Sequence, residues 1–341
     1  MDAVVILMNR TQKVWSERKV TGALFMDVKS AFNNVNKALL GKQMEELGLE
    51  ANLIHWTMSF MSDRRVKLVL YVTVGESNAV DIGVPQGSPV APILFVTYLS
   101  GIFDAVEKAA PGISGLSFVN DIGWCAKGRN DGEVAEKLSE GAAAAMEWGR
   151  NNGVAFNQGK TEAAMFWRKK KGMEAKDKVR VGDHEVPFNK EATRWLRIWL
   201  DSQLTLGTHH NTRLQNGKRA MTRLQRLTGQ MGLAAANCRK IMAACVQSAA
   251  MLGSELWWKG GNIQGTTGQV DELQLFINHQ ARAMTGCFRT TNLGALSMES
   301  GLRPATNQLE NRQHRFTLWL LSLPQGEMAR NIISADTTIG K

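Results

Sequence analysis

Cysteine is scarce and scattered. Cys125, Cys238, Cys245 and Cys287 are the only four in 341 residues, with no Cys-x-x-Cys pair and no histidine at ligand spacing, which excludes a disulfide framework and a zinc site. Buried thiols are expected. No apolar run approaches the ~20 residues that span a bilayer, and the N-terminus lacks the basic-then-apolar layout of a secretory leader. A soluble, intracellular chain with no membrane partner is expected. Fixed-period repeats and low-complexity tracts are absent too, and with 44% hydrophobic and 21% charged residues general disorder is excluded. Acidic residues are in the minority: Lys+Arg number 41 against Asp+Glu 31, a formal net charge of +10. Such a surplus fits a polyanionic partner, nucleic acid above all. What the chain does have is apolar content, at 44% hydrophobic residues, enough for real cores. At ~150 residues per domain the length suggests about two of them.

Apolar spacing predicts a strand at Ala23–Met26 and a helix from Lys29 to Leu47, carrying Phe32, Val35, Leu39, Leu40 and Met44 and ended by Gly48. Val66–Val74 is rich in strand formers. The loop Val84-Pro85-Gln86-Gly87-Ser88-Pro89 leads into an apolar stretch, with Ser88 as N-cap and Pro89 as first helical residue. Leu116–Val119 and Ile122–Ala126 flank Asn120-Asp121 as a hairpin. Gly132–Asn151 reads as an alanine-rich helix. Val154–Phe156 and Ala163–Phe166 bracket a turn, a second hairpin signal. Beyond the basic run Arg168–Lys171 and a strand-like Trp195–Leu200 the pattern turns helical, and a boundary is expected near residue 205. The class is α+β.

Two acidic positions stand out. Asp27 ends one apolar strand and Asp121 sits in the apolar hairpin. Each has an ordinary explanation, Asp27 as a helix cap and Asn120-Asp121 as turn chemistry. Together, carboxylates at the ends of neighbouring strands can meet at one sheet edge and hold Mg²⁺ through hard oxygen ligands while the cation bridges phosphates. Arg219, Arg223 and Arg226 recur on one face of the predicted helix 211–227, either as a solvated face or as contacts to phosphates. Trp257-Trp258 are expected in a core rather than under bases.

Four segments in order resemble the reverse transcriptases. Leu24-Phe25-Met26-Asp27-Val28-Lys29-Ser30-Ala31-Phe32 is similar to their first palm motif, and Gly83 to Pro92 to their Pro-Gln-Gly-Ser-Pro motif. Ser117-Phe118-Val119-Asn120-Asp121 resembles the hairpin that normally carries two aspartates, and Asn157 to Glu162 the following motif with its lysine. Trp195 to Asp201 is similar to the primer-gripping element, and the region to about residue 325 to the thumb and C-terminal region of fungal non-LTR (LINE-type) retrotransposon polymerases.

The resemblance implies a polymerase palm, an antiparallel sheet with helices and a remnant of fingers, over residues 1–205, and a helical thumb and C-terminal region over 206–341. It implies an RNA-directed DNA polymerase that takes an RNA template, a DNA primer and deoxynucleoside triphosphates, with two Mg²⁺ ions for which Mn²⁺ can substitute, working in the nucleus. Asp27 and Asp121 would hold metal, and Lys160 would serve the leaving phosphate. Phe32 would exclude a ribose 2′-hydroxyl, while Gln86 and Gly87 would line the nucleotide pocket. Departures accompany it. Asn120 replaces a usual aspartate, Asn33 stands at a usual Asp position and Arg197 at a usual Gly position, a pattern expected of a decaying, truncated copy that lacks most of the fingers and has no endonuclease or RNase H segment. A catalytically silent nucleic-acid-binding remnant is therefore the rival expectation. Because Asn and Asp are nearly equal in size, Asn120→Asp is expected to leave stability nearly unaltered, or slightly lowered by repulsion from Asp27 and Asp121 without metal.

Overall fold

The computed structural model describes residues 2–168, 175–231, 235–258, 260, 267–325 and 327–330. Residues 169–171 of the basic run lie outside them. The chain forms two compact units, one of residues 10–193 and one of residues up to 9 with residues from 194 onward.

In chain order the elements up to the first unit's end are α1 (Asp2–Ser16), β1 (Val20–Lys29), α2 (Lys37–Glu46), α3 (Ala51–Phe60), β2 (Arg65–Leu70), β3 (Thr73–Ala79), α4 (Ala91–Leu99), α5 (Gly101–Ala109), β4 (Ile113–Phe118), β5 (Asp121–Gly128), α6 (Asp131–Asn151), β6 (Ala155–Phe156), β7 (Glu162–Phe166), β8 (Lys178–Val181) and β9 (His184–Pro187). A five-stranded sheet runs in the order β4-β5-β1-β6, with β7 also on β1, and all four pairings are antiparallel. β1 is the central strand. Its residues Thr21 to Met26 are buried without alternation, as a strand covered on both faces must be. Leu24 and Met26 join Ile122 and Trp124 of β5, Leu138 of α6 and Phe95 and Leu99 of α4 in one core.

Several expectations need correction. The predicted helix 29–47 is broken: β1 runs on to Lys29, Ser30 adopts a left-handed conformation at φ 51°, a 3₁₀ turn covers Ala31–Asn34, and α2 starts only after Asn36, whose side chain caps it. The apolar helical spacing is real, but strand pairing of Val28 and Lys29 with β6 outweighs it. The supposed hairpin of 154–166 is not one, since β6 and β7 each pair with β1. The helix after the Pro-Gln-Gly loop starts at Ala91 with Pro92 in its first turn, not at Pro89. In the β4–β5 hairpin the turn residues are Val119 and Asn120, so Asp121 opens β5. Of the four cysteines, Cys125 and Cys238 are buried as expected, but Cys245 is exposed and Cys287 half-buried.

After β10 (Ala192–Trp195), which spans the division at residue 194, the second unit carries β11 (Ile198–Asp201), α7 (Gly207–Met231), α8 (Ala235–Ile241), a π-helical turn at Met242–Gln247, α9 (Ser248–Ala250), α10 (Ser254–Trp257), α11 (Thr267–Thr285), α12 (Leu293–Ser300) and α13 (Ala305–Ser322). Trp257 and Trp258 are buried, edge to face at 6.5 Å, as expected of core residues. Among the described residues no helix is long and apolar enough to cross a membrane.

The β10–β11 turn is held by Leu196 and Arg197, both left-handed, at φ 47° and 67°. A left-handed conformation costs a non-glycine residue about 1–2 kcal/mol, partly offset here because glycine would loosen the unfolded chain. Arg197→Gly should therefore stabilise the second unit by about 0.5–1 kcal/mol in urea unfolding. A loss of stability would show that the Arg197 side chain contributes more than its backbone costs.

His209 at the start of α7 is fully buried. Its Nδ1 accepts from the Trp199 backbone N–H at 3.3 Å, which leaves Nε2–H to donate to the Leu252 carbonyl at 2.8 Å. Burial pushes its pKa down to about 4 from 6.5. The unfolded chain takes up this proton between those two values, so stability is present above pH 6.5 and lost as pH falls toward 4, by roughly 3 kcal/mol at most. Melting curves across that range should show the loss, and His209→Gln should flatten it. Equal slopes in the two proteins would assign the loss to other groups.

Candidate active site

The sheet register decides which acidic residues meet. Asp27 on β1 and Asp121 on β5 are register partners, so two residues 94 positions apart in sequence lie side by side at the end of the β1–β5 ladder. Backbone bonds fix Asp27 from both sides. The Val28 N–H donates to the Asn120 carbonyl at 3.1 Å, and the Asn157 N–H donates to the Asp27 carbonyl at 2.8 Å. The second bond also anchors the 3₁₀ turn Gln158–Lys160, from which Lys160 Nζ reaches Asp27 Oδ2 at 3.6 Å.

Asp27 Oδ1 is engaged as well. It accepts from Asn120 Nδ2 at 2.9 Å, so an amide and an ammonium share its two oxygens. This bond adds a cause of lost stability in Asn120→Asp beyond the expected repulsion: an ionised aspartate has no donor to replace it. Burial and the neighbouring Asp27 charge, in that order, raise the Asp121 pKa, and Lys160 opposes them. The two carboxylates are thus electrostatically coupled, and protonation of Asp121 competes with any cation held there. Val119, a β-branched residue at φ 56°, carries backbone strain at the tip of this hairpin.

The donor chemistry fits a divalent cation. Asp27 and Asp121 offer hard carboxylate oxygens, the ligands that Mg²⁺ and Mn²⁺ prefer, and Asn120 offers only a neutral amide oxygen. Two negative charges remain where three carboxylates would give three.

Phe32 lies in the 3₁₀ turn directly after β1, half-buried, with its ring 5.4 Å from that of Phe95 on α4. Its carbonyl accepts from the Val84 N–H at 2.7 Å, and the Val35 carbonyl accepts from Gly83 N–H at 2.9 Å. Gly83 is required here: at φ +81° a Cβ would stand 2.7 Å from the Asn33 carbonyl oxygen and 2.9 Å from that of Phe32. Gln86 and Gly87 follow, both exposed. Asp27, Asp121, Asn120 and Lys160 therefore form one cluster, while Gln86 and Gly87 belong to the loop tied to Phe32.

In the second unit Arg219 and Arg223 are exposed on α7, and the Arg226 side chain lies outside the described residues. Sequence inspection missed Arg213 on the same helix. Its guanidinium donates to the Arg197 carbonyl, and burial followed by the nearby charges of Arg194 and Arg197 lowers its pKa from the usual arginine value. No local pattern in the sequence announces that three arginines converge.

Residues 3–205 match the family model for reverse transcriptase (RNA-dependent DNA polymerase). The chain belongs to the reverse transcriptase family. Its relatives include the probable RNA-directed DNA polymerase from transposon X-element of Drosophila melanogaster, 22% identical over 80% of this chain and 29% of that protein. The RNA-directed DNA polymerase from mobile element jockey of Drosophila funebris is 25% identical over 62% of this chain and 23% of that protein. The chain thus spans less than a third of the length of these two relatives, and it carries a reverse-transcriptase domain of the non-LTR retrotransposon kind. Among solved structures it is similar to apo telomerase from Candida tropicalis, with a TM-score of 0.46 and 13% identity over 93% of this chain and 48% of that one. A superposition that loose decides nothing about function.

Proposed function

We propose that this reverse-transcriptase domain adds deoxynucleotides to a DNA primer on an RNA template, with residues 1–205 as palm and remnant of fingers and residues 206–341 as thumb and C-terminal region. The observation that carries this reading is the side-by-side register of Asp27 and Asp121 inside the span that matches the family. Asp27 and Asp121 would hold Mg²⁺, two ions in an intact site, or Mn²⁺ in its stead. Bound there, divalent cations lower the pKa of the primer 3′-hydroxyl and neutralise charge on the phosphates. Lys160 turns its charge from Asp27 to the leaving phosphate, the Phe32 ring excludes a 2′-hydroxyl, and Gln86 and Gly87 line the nucleotide pocket. Arg219, Arg223 and Arg226 hold backbone phosphates of the template–primer duplex. A nuclear site of action belongs to the same proposal.

A second reading, a nucleic-acid-binding domain that no longer turns over, is favoured by Asn120 and Lys160 occupying both oxygens of Asp27. Incorporation of one labelled deoxynucleotide on a primed RNA template separates the two. Weak, Mn²⁺-supported incorporation that Asp121→Ala abolishes supports the polymerase, whereas tight template–primer binding with no incorporation under either ion supports the second reading.

A further inference from the structure

We propose that Arg64 is a positioning residue for nucleotide binding, holding the loop that carries Gln86 and Gly87 from the side opposite Phe32; this rests on the polymerase reading above. Arg64 stands at the junction of α3 and β2, and its guanidinium is spent on main-chain carbonyls. Nε donates to Met61 O at 3.2 Å, and Nη2 donates to Ile82 O at 3.2 Å and Gly83 O at 2.6 Å. Its own carbonyl accepts from the Val80 N–H at 2.9 Å. Among the described residues no carboxylate pairs with it.

The segment 82–84 is therefore gripped on two sides. Arg64 takes its carbonyls, while Phe32 and Val35 accept from its N–H groups, and Gly83 packs too closely on Asn33 for any side chain. Pro85, whose ring fixes φ, joins this segment to Gln86 and Gly87, and its carbonyl accepts from the Ser88 N–H at 3.2 Å across that turn. Arg64, Gly83 and Gln86 also line one open cavity of about 740 Å³, so the clamp and the functional loop share a wall. A planar guanidinium suits this duty. It serves three carbonyls from two fixed directions, which the single ammonium of lysine does not reproduce. Loss of the clamp leaves the Ile82 and Gly83 carbonyls without this donor and frees the loop at its base. Displacements of about 1 Å at such supports cost up to roughly 100-fold in positioning-dependent steps.

The test needs no turnover. A chain-terminated primer on RNA is bound by the unaltered chain, Arg64→Ala and Arg64→Lys in Mn²⁺, and the next complementary deoxynucleoside triphosphate is titrated until the complex resists a heparin challenge. Arg64→Ala should need about 10- to 100-fold more nucleotide, with template–primer affinity unchanged, and Arg64→Lys should recover little. Amide exchange at Gly83 and Val84 should accelerate in both variants, and Arg64→Gln, which keeps one amide donor, substitutes if Arg64→Ala fails to fold. Faster exchange with unchanged nucleotide affinity makes Arg64 a support of the fold only and overturns the proposal, as does unchanged exchange. If the unaltered chain forms no nucleotide-stabilised complex at all, the polymerase reading fails and takes this role with it.

Discussion

Asn120→Asp should lower the melting temperature of the metal-free protein by about 3–6 °C and make that temperature climb with added Mg²⁺ or Mn²⁺. The variant loses the bond from Asn120 Nδ2 to Asp27 Oδ1, and a hydrogen bond to a charged group contributes about 1.5–3 kcal/mol. Asp27 retains 26% side-chain exposure, so solvent screening reduces this to about 1–2 kcal/mol. For a domain of roughly 150–250 residues each kcal/mol moves the midpoint by about 2–4 °C. Repulsion among three carboxylates adds to the loss. A cation at 100 times its dissociation constant returns about 2.7 kcal/mol, enough to cancel the deficit. The pH dependence has a definite sign. Asp121 already has a raised pKa, so its contribution is present at low pH and lost as pH rises through that pKa; the deficit of the variant should shrink on acidification. A variant as stable as the parent, with no response to metal, would mean that Asn120 does not stand in for a carboxylate.

The triple substitution Arg219→Ala, Arg223→Ala, Arg226→Ala should weaken binding of an RNA–DNA duplex about 10- to 100-fold at 0.1 M salt and flatten the slope of log affinity against log salt by about three. Arg219 and Arg223 are exposed on α7 at helical spacing, and phosphate contacts of this kind carry no sequence preference. The loss should therefore be equal across unrelated duplexes. Binding isotherms at several salt concentrations measure it. Unchanged affinity and slope would make this a solvated face.

The sequence displayed some parts of this architecture better than others, for physical reasons. α6 and the β4–β5 hairpin were legible because their signals are local: helical spacing ending near Asn151, and two apolar arms around a short turn. The break after Lys29 was not, because it depends on pairing with β6, more than 120 positions downstream. The same long-range pairing put β6 and β7 on β1 instead of on each other. At the site, the motifs singled out Asp27, Asp121 and Lys160, and the register brings them together. That Asn120 donates to Asp27, that Arg213 gathers Arg194 and Arg197, and that Arg64 grips the Gln86 loop all depend on side-chain directions that no periodicity encodes.

In the function we propose, this reverse-transcriptase domain has a metal site built on Asp27 and Asp121 and weakened by Asn120. Its most direct test is deoxynucleotide incorporation on a primed RNA template, with Mg²⁺ and then Mn²⁺, by the unaltered chain, by Asn120→Asp and by Asn120→Asp carrying Asp27→Ala. Asn120→Asp should gain at least tenfold, in line with the roughly 10- to 100-fold losses typical when even outer support of a metal site is removed, and the double variant should incorporate nothing. No gain with either ion, or efficient extension by the unaltered chain, would contradict that proposal.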